Sequence, residues 1–241
     1  YRSFWGSQTY ESTSAGSGII VSRDDEYLYI ATNNHVIDGA KSLTVTFAND
    51  KTVSAEVKGT DPSIDLAVVK VALGNIESTT LDEIKIATLG DSDSLRVGEA
   101  SIAIGNALGY GQSVTTGVVS ALNRTVTTDV SSAKMIQIDA AINGGNSGGA
   151  LINAAGEVVG INSVKYSSSG YSSSASIEGM GFAIPISDVK ELIEGLMNGE
   201  EVDDSDVVLG IEGYIVTEAQ SKNYNIPQGF YISKVTEGKA A

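Results

Sequence analysis

The 241 residues carry 15 lysines and arginines against 30 aspartates and glutamates, a net charge of −15, with 41% hydrophobic and 19% charged residues. This is ordinary globular usage and excludes wholesale disorder, collagen-like and coiled-coil character, while the acidic surplus argues against duplex nucleic acid or an anionic membrane as partner. There is no cysteine, so disulfides, thiolate zinc sites and cysteine nucleophiles are all ruled out.

Tyr1, Phe4 and Trp5 stand in an N-terminal segment, 1–15, whose first five residues do not resemble a secretory leader. No apolar run reaches the roughly 18 residues of a membrane-spanning helix, so any targeting segment is expected outside this stretch. From residue 16 onward, short β-branched runs are broken by Gly, Asn, Asp and Ser, which predicts an all-β domain of many short strands. Strands are expected near 17–22, 27–34, 42–47, 52–59, 66–72, 99–104, 113–121, 135–139, 149–153, 157–165 and 180–184. One stretch reads as helix: Ser187 as cap of Asp188–Asn198, an apolar stripe of Val189, Leu192, Ile193 and Leu196, and Gly199 as terminator. Asp91-Ser92-Asp93-Ser94 reads as an acidic turn, and Tyr166–Ser176 as a polar surface loop. The acidic run at 200–206 is a solvated linker, and 207–241, with strand-like pieces at 213–216 and 229–235, is too short for most independent cores.

The most informative stretch is Asn143-Gly144-Gly145-Asn146-Ser147-Gly148-Gly149, set between strand-like runs. A Gly-rich stretch there is first of all a turn. A serine ringed by glycines is also what a nucleophile at a tight turn needs, because backbone N–H groups must approach an oxyanion without Cβ obstruction. The same residues match the GxSxG elbow of α/β-hydrolases, but that order is Ser, acid, His, and the only histidine, His35, precedes Ser147. A subtilisin-like order needs an aspartate ahead of His35, where only Asp24 and Asp25 occur, in a charged turn. What remains is His, Asp, Ser, the chymotrypsin-like order on a β scaffold. A solitary histidine without thiolates leaves no ligand set for zinc hydrolysis.

His35 ends the strand-like run at Thr32-Asn33-Asn34-His35-Val36-Ile37, where a lone histidine is by itself more often a surface residue than a base. Among the aspartates between His35 and Ser147, Asp65 is singled out because the apolar run Leu66–Val69 follows it at once. A carboxylate drawn into a core needs a partner, and an imidazole N–H supplies one.

These segments, together with Ala103-Ile104-Gly105-Asn106, Ser113–Ser120, Asp139–Leu151 and Gly179-Met180-Gly181-Phe182-Ala183-Ile184-Pro185, resemble in order and spacing the HtrA (DegP-like) serine proteases over about 16–198. The resemblance implies a chymotrypsin/trypsin-like protease domain at 16–199, made of two six-stranded β-barrels at about 16–105 and 106–187. Ser147 is then nucleophile, His35 general base and acid, and Asp65 the group that orients the imidazole. The N–H groups of Gly145 and Ser147, with Asn146 between them, form the oxyanion hole. Ile142, Ser163 and Val164 match pocket positions, with Gly181 and Phe182 along the far wall, so small aliphatic side chains are expected before the cleaved bond. Ile142 and Val164 also read as ordinary core.

Other implications concern the whole protein. Val208-Leu209-Gly210-Ile211 and Tyr224–Ile232 resemble the opening of a PDZ domain, which binds peptide C-termini by strand addition once complete. The family pattern implies an exported endopeptidase of the bacterial envelope, periplasmic or membrane-anchored at the cell surface. It would act on unfolded or misfolded proteins without ATP, cofactor or metal, and its N-terminal aromatics would pack in a homotrimer. Gly144 is a departure, since many relatives carry Pro or Arg there, and the added backbone freedom bears on whether the oxyanion hole is formed at rest. The rival reading is a chaperone or peptide-binding pseudo-protease on the same scaffold.

Overall fold

A computed structural model of the chain describes residues 15–106, 111–127, 132–164, 179–199, 211–216, 227 and 229–235. The N-terminal aromatics, the 166–176 loop and the 200–206 linker of the sequence reading lie outside these residues. The chain divides into two compact units, 1–202 and 203–241.

In the first unit the strands are β1 (Ile19–Arg23), β2 (Tyr27–Thr32), β3 (Leu43–Thr46), β4 (Thr52–Asp61), β5 (Leu66–Ala72), β6 (Ala100–Gly105), β7 (Ser113–Thr127), β8 (Ser132–Ile138), β9 (Ala150–Ile152), β10 (Val158–Asn162) and β11 (Gly181–Pro185). Strands β6 to β11 close a barrel in the order β10-β11-β8-β7-β6-β9, with β9 returning to β10. Closure removes free edges from this half. The expected first six-stranded barrel is, among the described residues, a five-stranded sheet in the order β1-β2-β5-β4-β3. After β5 the chain enters a 3₁₀ turn (Leu73–Asn75) and a short helix, α2 (Ser78–Glu83), instead of a sixth strand. These, like the four-residue α1 (Asn34–Ile37), are too short to show a helical hydrophobic period.

One strand explains how the halves join, and another how the barrel closes. β5 is buried on both faces: Ala67, Val69 and Val71 pack with Leu28, Ile30 and Ile76 inside the first half, while Leu66 and Val68 pack with Ile161, Phe182 and Ile184 of the barrel. Hence Leu66–Val69 is continuously apolar and not alternating, with Lys70 the one charged residue of the strand. β7 runs past its expected end at 121 to Thr127 through two irregularities, with Asn123 in the left-handed region (φ 53°). It pairs with β6 up to Val118 and with β8 from Val119 on, and the exposed Asn123 and Arg124 disguised its continuation.

The closing helix, α3, spans Ile186–Asn198 and buries Ile186, Val189, Ile193 and Leu196; Gly199 ends it at φ 78°, where a left-handed residue is required. Ser187 is not its cap. Pro185 occupies the N-cap without a side-chain bond, and Ser187 lies inside the first turn. There its N–H donates to Ser92 Oγ (3.1 Å) and its Oγ accepts from Ser92 N–H (3.0 Å). The loop at 91–93 thus caps the helix from outside. In the second unit β12 (Ile211–Val216) and β13 (Gly229–Val235) form an antiparallel pair.

Candidate active site

The β2–β5 ladder aligns Thr32 with Ala67, bringing the residues just after β2 beside those just before β5. His35 therefore rises on α1 next to Asp65. Asp65 is fully buried and sits at φ 62°, a left-handed conformation that aspartate tolerates better than most residues. Its surroundings fix it: the main-chain carbonyl accepts from Asn33 Nδ2 (3.0 Å) and Asn34 N–H (3.1 Å), and Oδ1 accepts from His35 N–H (2.9 Å). Oδ2 meets His35 Nδ1 at 2.7 Å and accepts from Ser163 Oγ at 3.3 Å. An ionised carboxylate only accepts, so Nδ1 carries the proton and, in the neutral ring, Nε2 is left as the basic nitrogen. The His35 side chain is 27% exposed.

Ser147 is 2% exposed and follows Gly145, whose φ is 99°. Its Oγ accepts from Val164 N–H at 3.0 Å. Ser163 and Val164 are consecutive, one bonded to Asp65 and the other to Ser147, which places the three sequence-predicted groups along one wall. No hydrogen bond joins Ser147 to His35 among the described residues. The turn around Ser147 is built from peptide bonds with assigned partners: Asn146 N–H donates to Asn143 O (3.2 Å), Gly148 N–H to Asn162 O (2.9 Å) and Gly149 N–H to Asn146 O (3.0 Å). Asn146 is also held by its side chain, Oδ1 accepting from Asn143 N–H (3.1 Å) and Nδ2 donating to Ala141 O (3.3 Å). Among the described residues the N–H groups of Gly145 and Ser147 donate to no protein acceptor.

The glycines here answer to space. A Cβ at Gly148 would lie 2.2 Å from Thr32 Oγ1, and one at Gly149 2.1 Å from Ile104 O. Among the pocket residues expected from the sequence, Ile142 is half-buried over Gly181, where a Cβ would come within 2.6 Å of Ile142 Cγ1. Ser163 is fully buried and its hydroxyl serves Asp65, whereas Phe182, 5% exposed, packs in the core between the halves. Two supports were missed from the sequence. Asn33 was visible in the motif but carried no role, and Ser17 gave no signal because its partners lie far along the chain.

Residues 16–161 match the family model of the trypsin-like peptidase domain. The chain belongs to the HtrA family of trypsin-like serine proteases. It is 46% identical over 193 residues to serine protease Do-like HtrB of Bacillus subtilis, covering 78% of this chain and 39% of that protein. Against serine protease Do-like HtrA of Lactobacillus helveticus it is 39% identical, covering 96% of this chain and 56% of the relative. Against the periplasmic serine endoprotease DegP of Escherichia coli K12 it is 37% identical, covering 98% and 47%. The solved structure of the HtrA-type protease AlgW with a decapeptide superposes with a TM-score of 0.72 at 34% identity, over 93% of this chain and 64% of that one. The chain thus spans about half the length of the curated HtrA relatives it matches.

Proposed function

We propose that this HtrA chain is a serine endopeptidase in which Ser147 attacks the scissile carbonyl, His35 Nε2 takes and returns the proton, and Asp65 holds the imidazole. The observation that carries the reading is the buried Asp65 contact with His35 Nδ1 at 2.7 Å, in a wall shared with Ser147. A fixed Nδ1–H leaves Nε2 for proton transfer, and Asp65 stabilises the imidazolium that forms. The N–H groups of Gly145 and Ser147, which have no acceptor among the described residues, receive the developing oxyanion, with Asn146 bracing the turn between them; one such donor is worth on the order of 10²–10³ in rate. Ile142, packed over Gly181, and Val164 favour small aliphatic side chains before the cleaved bond.

Substrates, by likeness to proteases named Do-like and DegP, are unfolded or misfolded exported proteins, and the place of action is the bacterial envelope. Residues 16–199 are read as the protease domain, 200–206 as linker and 207–241 as the start of a PDZ domain that binds peptide C-termini when complete; the β12–β13 pair supports strand content there. Trimer formation through the N-terminal aromatics belongs to the same proposal. No nucleotide, cofactor or metal enters it. The test is cleavage of reduced casein by this chain and by Ser147→Ala. Cleavage by the first and not the second is expected; equal cleavage by both overturns the assignment, and labelling of Ser147 by a fluorophosphonate reports a formed oxyanion hole directly.

A further inference from the structure

Ser17 lies just ahead of β1, in a segment whose neighbours leave it no slack. A Cβ at Gly16 would fall 2.5 Å from Val36 Cγ1, and one at Gly18 2.5 Å from Ile30 Cγ2. The segment is pressed against the serine turn, where a Cβ at Gly16 would also lie 3.2 Å from Ser147 O. There, all four polar functions of Ser17 are engaged. Its N–H donates to Ser147 O (2.8 Å) and its C=O accepts from Thr32 Oγ1 (2.7 Å). Its Oγ accepts from Asn106 N–H (2.8 Å) and donates to Gly145 O (2.8 Å). The direction of the last bond is forced, because a carbonyl cannot donate.

We infer that Ser17 is a positioning residue for the oxyanion-binding N–H groups; the inference rests on the protease reading above. Its two bonds to the turn hold the carbonyls of the 145–146 and 147–148 peptides. The peptide between them, 146–147, carries the Ser147 N–H, and its own carbonyl is taken by Gly149 N–H. The bond from Gly149 N–H holds that plane directly, and the two strapped flanks narrow the φ and ψ changes through which it tilts, so together they aim the Ser147 donor. The 145–146 plane likewise anchors one side of the peptide that carries the Gly145 N–H. Donors aimed at a developing charge must be held to about 0.5 Å to act, and a hydroxyl clamped between Asn106 N–H and Gly145 O supplies that restraint across 128 residues of sequence.

The full chain is compared with Ser17→Ala, Ser17→Thr and Ser17→Cys in casein or peptide cleavage, with folding followed by near-UV circular dichroism and Tm. Ser17→Ala is expected to lower kcat by about 10- to 100-fold with KM within about twofold and a native spectrum, the scale of a misplaced catalytic donor. The rate of fluorophosphonate labelling at Ser147 falls in parallel, the acid limb of the pH profile stays where it is, and Ser17→Thr restores most of the rate by returning a hydroxyl. An unchanged kcat in folded Ser17→Ala overturns the inference, as does a loss of active molecules with unchanged kcat per labelled site, which is what a purely structural role produces. If Ser17→Ala does not fold, Ser17→Cys decides: a folded variant with reduced kcat supports the inference, one with native kcat overturns it, and failure of both to fold overturns it too. If the unsubstituted chain neither cleaves nor labels, the protease reading has failed and takes the inference with it, an outcome read without any Ser17 variant.

Discussion

The two sides of the candidate site are restrained very differently. On the His35 side, Asp65 is buried and held through its main-chain carbonyl and both carboxylate oxygens, by groups from β2's end, α1 and the segment after β10. On the Ser147 side, peptides from 145 to 149 are bonded, yet among the described residues no hydrogen bond reaches the N–H or C=O of Gly144, and a Cβ there would meet nothing within 4 Å. The proposed base is therefore preorganised, whereas one of the two proposed oxyanion donors, Gly145 N–H, belongs to a peptide whose carbonyl has no partner among the described residues. In the proposed mechanism, the geometry that must hold a proton between two fixed atoms is built rigidly, and the geometry that would admit and release an acyl group is left a hinge.

The largest effect expected from breaking the rigid side is Asp65→Asn. An amide at 65 can present N–H to the imidazole and select the wrong tautomer, so kcat should fall by about 10³- to 10⁴-fold while casein binding persists; a loss below tenfold would mean the pair is only structural. Acidification attacks the same side through His35, which must be neutral to accept the serine proton. In the proposed mechanism acid therefore lowers kcat/KM, and a rate that does not change on acidification would overturn the role of His35.

Sharpening the hinge is a smaller matter. Gly144→Ala has room and lies outside the left-handed region, so it should narrow the turn's unfolded alternatives by about 0.4–1 kcal/mol and raise kcat by about 2- to 5-fold. A fall in kcat would show that catalysis needs conformations only glycine reaches. Outside the site, Asp24 accepts hydrogen bonds from Glu26 N–H, Tyr27 N–H and Tyr29 Oη, each at 2.7 Å. The Tyr29 hydroxyl bond, then the two amide bonds, hold the Asp24 carboxyl below its usual range, a stabilisation present near neutrality and lost as pH falls. The same carboxylate pushes the Tyr29 phenol up to about 12, so that contribution is whole below the ordinary tyrosine range and lost as pH rises through about 12. Tyr29→Phe should lower Tm by about 2 °C or less near neutrality, leave kcat unchanged, and flatten the alkaline loss relative to the native chain.

Much of the site was legible because its signals are local. The glycines around Ser147, the single histidine and the apolar run behind Asp65 each sit within a few residues, and their order along the chain excludes rival arrangements. Strand positions followed for the same reason, and failed where period-two alternation faded, as at the exposed Asn123–Thr125 of β7. Short helices gave no signal, since α1 and α2 complete fewer than two turns.

What the sequence by itself determined is the all-β character, the His–Asp–Ser order and the glycine-lined turn, because propensity, spacing and order are properties of neighbouring residues. Only the tertiary structure decided that Ser163 serves Asp65, that Ser92 and not Ser187 caps α3, and that Ser17 straps Gly145 and Ser147. Those pairs lie 98, 95 and about 130 residues apart, and a hydroxyl's partner across such distances depends on which polar groups the packed sheets leave within hydrogen-bond reach of it.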